Sequence, residues 1–216
     1  MVKWMEMSIE TLSKQQLRTQ ETQTRLLDAA EEVFVRDGYE AAQLDEIAAT
    51  AGRSKGAVYT HFKSKEDLFL ALFEHRTRTY VDRLVSSLAS CMNRKQRLQV
   101  FREFYIGLAQ DKTWPILTLE FKLFALRHPE SKERLRSAFE MAKPPRDAAT
   151  DAEMFGKLIG EQKTDNDLAL VALAPILSGL ILESHFEPAV LSEKGLRRLL
   201  GRIFDAFFST RPKNGL

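Results

Sequence analysis

The sequence predicts an all-α protein. Apolar residues recur three or four positions apart through most of the 216-residue chain, which is the spacing that places them on one side of a helix. No useful stretch alternates apolar and polar residues, as a half-buried strand does. Glycine and proline stand where one periodic segment ends and the next begins. Together these observations predict a bundle of about nine helices.

The first helix is predicted from the apolar stripe that contains Leu26, Ala30 and Val33. It should end at Gly38, because glycine is the usual residue just beyond a helix C-terminus. The residues before position 19 show no such periodicity, so residues 1–18 are expected to form a flexible arm.

Two short helices should follow, separated by a glycine turn. The first of them, from Leu44 to Ala51, carries Asp45 and Glu46 in its first turn, where the helix dipole favours acidic side chains. Gly52 permits a sharp turn, and the next helix is predicted over Ser54–Phe62.

A long helix should begin after Ser64, because Ser64-Lys65-Glu66-Asp67 has the pattern of a capping box. Prolines and glycines divide the remaining chain into further apolar stripes. The corresponding helices are predicted at Gln96–Gln110, Pro115–Arg127, Glu130–Ala142, Glu153–Glu161, Leu168–His185 and Glu193–Phe208.

The overall charge does not by itself suggest a nucleic-acid partner. The formal net charge is +2, and Met1–Glu66 has 9 Lys+Arg against 11 Asp+Glu, a balance of −2. Between Arg53 and Lys65, however, there are four basic residues and no acidic one. Any affinity for DNA must therefore come from the placement of charge.

The composition also indicates where the protein works. A single cysteine, Cys91, excludes an internal disulfide and suits a reducing compartment. No apolar run was expected to reach the length of a membrane span, about 20 residues, and the N-terminus lacks the pattern of a secretory signal. The sequence predicts a soluble cytoplasmic protein without a membrane partner.

Two short helices around a glycine turn, with the second one basic, are the parts of a helix-turn-helix DNA reader. On a helical wheel, Val58 and Phe62 fall on one ridge of the second helix and should face the core. Gly56, Ala57 and Thr60 fall on the opposite side, where a major groove can meet them.

Basic and aromatic residues flank that groove-facing side. Tyr59 and His61 should lie at the height of the phosphate backbones, and Lys55 can reach a guanine edge or a phosphate. Lys65 adds its charge to a helix N-terminus, so it too is expected to contact phosphate. The alternative is a solvated basic turn inside an ordinary helical bundle.

At these residues the chain resembles the TetR/AcrR family of bacterial transcriptional repressors. The resemblance covers about Thr24 to Phe73. It is carried by Gly38-Tyr39, Ile47-Ala48, Ala51-Gly52, Ser54-Lys55-Gly56, Tyr59, His61-Phe62, Ser64-Lys65-Glu66 and Leu68. The resemblance implies a DNA-binding domain over residues 19–66 and a ligand-binding and dimerisation domain over residues 67–216. The implied partners are double-stranded operator DNA, a second copy of the chain and a small-molecule inducer.

Three positions depart from the family pattern. Gln43 follows Ala42 where the family usually has threonines, and it can still donate to phosphate although it is a weaker helix cap. Arg53 replaces the common valine and can add a phosphate or base contact. Ala57 stands where threonine is frequent, which leaves methyl contacts in place of a hydrogen bond. These changes affect the operator sequence more than DNA binding itself.

The C-terminal helices offer candidates for the dimer contact and for the ligand site. The stretch Leu177–Leu180 resembles the dimer-forming helix of the family. The predicted interface residues, whose alternative is the intramolecular core, are Leu170, Leu173, Leu177, Leu180, Ile181, Leu199, Ile203 and Phe207. The predicted ligand-binding residues are Phe101, Phe104, Tyr105, Trp114, Glu120, Phe121, Phe124, His128 and Phe155.

Within this set, Glu120 and His128 are the candidate polar anchors of a mainly apolar pocket. Glu120 has a structural alternative, a pair with Arg127 or with another helix, because a buried acid must be paired. Enzymatic function is not expected. The four histidines are scattered, no glycine-rich phosphate loop follows a strand, and Cys91 lies on a predicted helix.

The sequence thus predicts a sequence-specific DNA-binding regulator that acts as a dimer and is released by a small, mainly apolar ligand. No cofactor or metal is expected. A helical ligand-binding or interaction protein that does not use DNA is the alternative.

Overall fold

The computed structural model describes residues 14–142 and 163–208, and every regular element within these ranges is helical. The all-α prediction is confirmed. In chain order the described helices are α1 (Lys14–Ala41), α2 (Leu44–Thr50), α3 (Lys55–His61), α4 (Lys65–Ala89), α5 (Arg94–Gly107), α6 (Trp114–Arg127), α7 (Pro129–Ala142), α8 (Lys163–Phe186) and α9 (Glu193–Phe208). A 3₁₀ turn over Leu108–Gln110 follows α5. The predicted helix Glu153–Glu161 lies outside the described residues.

The chain divides into two compact units between Leu72 and Phe73, within α4. The sequence had placed this boundary six residues earlier, after Glu66. The other difference concerns the N-terminus. Since α1 begins at Lys14, residues 14–18 are helical and do not belong to an arm without regular structure.

Aromatic stacking holds the core of the N-terminal unit. The Phe34 ring centroid lies 5.8 Å from that of Tyr39 and 5.4 Å from that of Phe69, and the Tyr39 and Phe69 centroids are 5.2 Å apart. Ile47 of α2 and Val58 of α3 are completely buried in the same unit. Each such side chain stabilises the fold by about 1.5–3 kcal/mol.

Glycine and serine set the boundaries of the short helices, as the sequence predicted. Gly52 adopts a φ of 63°, and the amides of Gly52 and Arg53 donate to the carbonyls of Ala49 and Ala48, which closes α2 with a Schellman motif. At the start of α4, the Ser64 Oγ accepts from the Asp67 amide at 3.0 Å.

Gly38 interrupts α1 rather than ending it. Its φ of 81° and ψ of 166° lie in a region that only glycine occupies readily, and a last helical stretch continues to Ala41. This break redirects the chain just before the buried Tyr39.

The core of the C-terminal unit lies between α5, α8 and α9. Its members include Ile181, Leu200 and Phe204, all almost completely buried. The Arg102 guanidinium on α5 reaches the Asp205 carboxylate on α9, with Nε–Oδ1 at 2.8 Å and Nη2–Oδ2 at 3.1 Å. An added Cβ at Gly201 would collide with that guanidinium, so a larger residue there would require the Arg102 side chain to shift.

Helix α8 has a longer apolar stretch than the sequence analysis predicted. The stretch Leu168–Phe186 of α8 is long and apolar enough to cross a membrane by length and composition, with a mean hydropathy of 1.7. The prediction from the sequence that no apolar run approaches the length of a membrane span is therefore wrong. In the structure this helix packs against α6 and α9 of the C-terminal unit.

Gly38→Ala should destabilise the N-terminal unit by about 1–3 kcal/mol, because alanine must adopt a backbone conformation that excludes its Cβ. Hydrogen exchange of the amides between Leu26 and Leu72 measures this loss directly. Gly56→Ala is the matched control: its added Cβ meets only the Ser54 Oγ, at 3.8 Å. The control should stay as stable as the parent or gain roughly 0.5–1 kcal/mol. Equal protection in both variants would contradict the assigned strain.

Candidate nucleic-acid interface and ligand cavity

The orientation of α3 follows from its apolar residues. Val58 is fully buried and Phe62 is 4% exposed, so the opposite side of this seven-residue helix faces outward. Gly56 and Thr60 are exposed, and Tyr59 is half-exposed. Ala57 and His61 are partly buried at the edges of this surface. Ser54 caps the helix, since its Oγ accepts from the Ala57 amide at 3.3 Å.

The outward surface contains no side chain at Gly56, and internal packing does not demand this. A Cβ at that position would have one close neighbour, the Ser54 Oγ at 3.8 Å, which is an ordinary van der Waals distance. The Thr60 hydroxyl donates to the Gly56 carbonyl at 2.9 Å, so its hydrogen is already engaged within α3. The open backbone at Gly56 is thus available to a surface that approaches from outside.

Lys55 is paired in a way that the sequence did not reveal. Its ammonium lies 2.7 Å from Oδ1 and 3.0 Å from Oδ2 of Asp45, the acidic residue in the first turn of α2. Both side chains are exposed, and the hydrogen bond to Asp45 raises the pKa of Lys55. Lys55 must leave this partner before it can bind a base or a phosphate.

Lys65 has a structural role that the prediction did not include. Its ammonium donates to the carbonyl oxygens of Glu40 at 2.7 Å and Ala42 at 3.1 Å, and it lies 5.1 Å from the Tyr39 ring centroid. A cation at a helix C-terminus is stabilised by the exposed carbonyls. The assignment of Lys65 to phosphate contact alone is therefore corrected. Its phosphate contact stays a prediction beside this structural role.

Gln43 and Arg53 occupy the ends of α2. Gln43 is the N-cap residue but its side chain caps no amide; its Nε2 donates to the Ala41 carbonyl at 3.0 Å. Arg53 is partly buried, and its Nη1 lies 3.4 Å from the Gly52 carbonyl. Gln43 is exposed, so the weaker cap inferred from the sequence leaves its side chain accessible from outside.

The C-terminal unit contains a cavity of about 380 Å³ with mainly apolar walls. Helices α4, α5, α6 and α8 contribute to it. Its lining residues are Phe73, Thr77, Tyr80, Val81, Phe101, Phe104, Tyr105, Leu108, Asp111, Trp114, Pro115, Thr118, Lys122, Leu170, Leu173, Ala174, Leu177 and Ser178.

Four of the predicted ligand residues line this cavity: Phe101, Phe104, Tyr105 and Trp114. The other described ones do not. Phe121 is fully buried in the core, and the Phe124 ring stacks on His128 with centroids 4.0 Å apart. Glu120 lies outside the lining as well, because α6 turns a different face to the cavity. Phe155 lies outside the described residues.

The α6 residues that line the cavity are Trp114, Pro115, Thr118 and Lys122, and the last three follow helical spacing. Sequence analysis missed the two polar residues of this face. Lys122 is partly buried, and burial lowers its pKa. Thr118 Oγ1 is buried without a hydrogen-bond partner. Glu120 and His128, the polar anchors expected from the sequence, do not line the cavity.

A second polar group lies near the N-terminal end of α6. The Asp111 carboxylate accepts from the Trp114 amide at 3.0 Å and from the Tyr80 hydroxyl at 3.0 Å, and it forms an ion pair with Arg76. Desolvation alone would raise the pKa of Asp111, but these hydrogen bonds and the Arg76 charge together lower it. The cluster joins α4 to α6 within the C-terminal unit.

The predicted interface residues fall into two groups. Leu173, Leu177 and Ile181 are at most 5% exposed and belong to the core of the protomer itself. Their assignment to the interface is therefore wrong. The remaining predicted positions, which are partly buried, are Leu170, Leu180, Leu199, Ile203 and Phe207.

A different stripe of α8 is apolar and exposed. Leu168, Val171 and Phe186 are 67%, 66% and 73% exposed, and Pro175 and the partly buried Leu182 stand between them at helical spacing. Sequence periodicity missed this stripe because α8 is apolar on nearly all sides. A coiled-coil-like spacing on an exposed face is typical of helix–helix association.

No group of three histidine, cysteine, aspartate or glutamate side chains is placed to hold a metal ion within residues 14–142 and 163–208.

The chain is similar to known bacterial regulatory proteins. Residues 26–72 match the family model of bacterial regulatory proteins, tetR family. The chain is 31% identical over 169 residues to the HTH-type transcriptional regulator TtgR of Pseudomonas putida, which covers 75% of this chain and 79% of TtgR. It is 32% identical over 95 residues to the fatty acid metabolism regulator protein of Bacillus subtilis, and 40% identical over 90 residues to the transcriptional activator FasR of Mycolicibacterium smegmatis. These two matches span 49% and 41% of the relatives' lengths.

Solved structures share the fold over nearly their whole length. The regulator FadR of Bacillus subtilis, in complex with stearoyl-CoA, superposes with a TM-score of 0.64 at 20% identity, covering 88% of this chain and 99% of that one. A regulator from Saccharomonospora viridis, in complex with choline, gives a TM-score of 0.64 at 22% identity, covering 86% and 96%. At these identities the likeness concerns the fold alone. Together with the long match to TtgR and the matched N-terminal motif, it shows that the chain belongs to the TetR family of bacterial regulatory proteins.

Proposed function

We propose that the protein is a cytoplasmic transcriptional repressor that binds a palindromic operator as a homodimer and leaves it when a small ligand occupies the cavity. The observation that carries this proposal is the outward face of α3, where an open glycine backbone stands beside exposed Tyr59 and Thr60. Backbone approach at a glycine and contacts by small side chains suit base edges in a major groove. Tyr59 would contact phosphate and position the helix without reading sequence.

Two copies are needed for a tight and specific complex. A single recognition helix reads only a short half-site, and paired half-sites lie one turn of DNA apart, about 34–36 Å between centres. The exposed α8 stripe with Leu168, Val171 and Phe186, together with the partly buried Ile203 and Phe207 of α9, supports a two-fold contact between α8 and α9 of both chains.

The cavity supports regulation by a ligand. It lies in the C-terminal unit, and α4, which starts in the N-terminal unit at Lys65, lines it through Phe73, Thr77 and Val81. A ligand that favours the DNA-incompetent arrangement of α4 by about 100-fold would supply about 2.7 kcal/mol of coupling, within the usual range.

Selection of duplexes from a random pool by the purified full-length chain tests the proposal. Enrichment of a palindrome with saturable, competitor-resistant binding in fluorescence anisotropy is the expected result. Failure to enrich any sequence would favour the alternative, a helical ligand-binding or interaction protein that does not use DNA.

Gly56→Val should abolish specific binding to the selected duplex, because the branched side chain blocks the approach of the α3 backbone to the groove. Its circular dichroism spectrum should match that of the parent, since the position has room for added atoms. Gly107→Val is the matched control, at a glycine of the C-terminal unit with nothing within 4 Å of an added Cβ. Undiminished operator affinity in folded Gly56→Val protein would show that α3 does not lie in the groove.

The double substitution of Val171 and Phe186 by aspartate should give monomers in analytical ultracentrifugation and abolish operator binding, because buried charges would oppose the α8 contact. Leu177 is unsuited to such a test, because it is a core residue whose substitution would unfold the protomer. Leu123 and Leu126 of α6 are also exposed, so their double substitution by aspartate adds the same charge elsewhere and should leave a dimer. Stable dimers of the α8 variant would refute this interface.

A further inference from the structure

Another cavity, of about 360 Å³, lies between α5 and α9 of the C-terminal unit. It shares no described lining residue with the mainly apolar cavity, and we call it the α5–α9 cavity. Lys95 and Gln99 are exposed, so this cavity reaches the surface of the protein. Its described lining consists of Arg94, Lys95, Leu98, Gln99, Arg102, Phe204, Asp205 and Phe208.

The polar groups at one end of this cavity already bind each other. The Arg102 guanidinium holds the Asp205 carboxylate through Nε and Nη2, as described above, and its Nη1 donates to Glu103 at 3.2 Å. The Gln99 amide donates to the same Glu103 carboxylate at 2.9 Å. Arg102 and its two carboxylate partners therefore offer a ligand little capacity for binding.

The other end of the cavity is positively charged. No carboxylate within residues 14–142 and 163–208 forms an ion pair with Arg94 or Lys95. Glu103 lies nine residues further along α5 than Arg94, a rise of about 14 Å, so it does not neutralise this end. The described lining thus carries two positive charges that have no negative partner.

Arg94 has the greatest need of an acceptor. Its Nε and Nη2 are buried and make no hydrogen bond within the part of the chain that the structure describes. Buried donors of a charged group that stay unsatisfied are costly. In the same cavity, the corresponding two nitrogens of Arg102 bind a carboxylate in a bidentate manner. An oxyanion is therefore the kind of group that suits the Arg94 guanidinium.

The start of α5 adds to the positive potential. Arg94 and Lys95 stand in the first turn of the helix, which contains no acidic residue, although the helix dipole favours acids there. Asn93 caps the helix, since its Oδ1 accepts from the Gln96 amide at 3.0 Å. An anion beside this turn would be stabilised by both basic side chains and by the dipole.

We propose that the α5–α9 cavity binds a phosphate monoester. Such a group carries a charge of about −1.5 to −2 at pH 7, which balances Arg94 and Lys95 together, whereas a single carboxylate balances one of them. Its organic part would lie on Leu98, Phe204 and Phe208, the apolar side chains of the lining. This site goes beyond the proposed function, because it lies neither on α3 nor in the mainly apolar cavity.

Binding requires a movement of one side chain. Because Nε and Nη2 of Arg94 are enclosed by protein, the guanidinium must turn into the cavity to meet the phosphate. There it exchanges two unsatisfied donors for charge-assisted hydrogen bonds, which are the strong ones. The unfavourable position of Arg94 without a ligand thus increases the gain on binding.

Calorimetry with the full-length chain tests this inference with three probes: phenyl phosphate, benzoate and inorganic phosphate. Phenyl phosphate should bind one molecule per protomer, about tenfold or more tightly than benzoate, because it makes more charge-assisted hydrogen bonds. It should exceed inorganic phosphate by a similar factor, because its ring covers the apolar side of the lining.

Variants locate the phosphate. Arg94→Met should lower the affinity for phenyl phosphate by about 10- to 100-fold. Arg94→Lys should recover only part of it, since lysine keeps the charge and loses the bidentate geometry. Lys95→Met, at an exposed position, should cost about two- to fivefold. Arg198→Met is the matched control, at an exposed arginine of α9 outside the described lining, and should change nothing.

Thermal unfolding gives a second readout, which a purely structural role of Arg94 would move in the opposite direction. Without ligand, Arg94→Met should keep or raise the melting temperature, because it removes buried donors that have no acceptor. Phenyl phosphate should raise the melting temperature of the parent and not that of this variant. A clearly lower melting temperature of Arg94→Met without ligand would show that the guanidinium stabilises the fold, and would overturn the proposal.

The remaining outcomes also decide the matter. Phenyl phosphate affinity that is unchanged by Arg94→Met in a folded protein would place the ligand elsewhere and overturn the site. Benzoate or inorganic phosphate that binds as tightly as phenyl phosphate would overturn the class of ligand. None of these measurements involves DNA, so this proposal can fail while operator binding stands, and the reverse.

Discussion

The burial of Val58 and Phe62 is the constraint on which the nucleic-acid interface depends. A helix of seven residues does not form alone in water, since nucleation is costly and few hydrogen bonds follow. Two large apolar side chains, together worth roughly 3–6 kcal/mol of burial, hold α3 in place. Because they fix its rotation, they also decide that Gly56, Tyr59 and Thr60 face outward.

The sequence predicted the N-terminal unit well because its signals are local. Ser54 and Ser64 cap the helices that follow them, and Gly52 closes the helix before it, each through contacts within a few residues. Local patterns did not predict the partners of the two lysines, Lys55 and Lys65. Lys65 donates to carbonyls 23 and 25 residues earlier, and Lys55 pairs with a carboxylate ten residues away, so neither partner is visible in a periodic pattern.

In the C-terminal unit, the sequence predicted the helices but not which of their faces are buried. Helices α6 and α8 are apolar on nearly all sides, so periodicity cannot say which face meets the core, which the cavity and which another chain. Leu177 and Val171 look equivalent in the sequence, yet one is 5% and the other 66% exposed. For the same reason, the sequence indicated Glu120 as a residue of the ligand site and did not indicate Lys122. Only the packing of α4 and α8 against α6 distinguishes the two residues.

The energetics of the cavity explain how occupancy can become a signal. A ligand that fills the same space equally well in both arrangements of α4 shifts no equilibrium, however tightly it binds. At one end of the cavity, Asp111 already ties α4 to α6 through Arg76 and Tyr80, so that end has little freedom to respond. Phe73, Thr77 and Val81 of α4 also line the cavity. In the proposed switch, a ligand that contacts these side chains acts on the part of α4 closest in sequence to the DNA-binding unit, where a displacement changes the spacing of the two recognition helices.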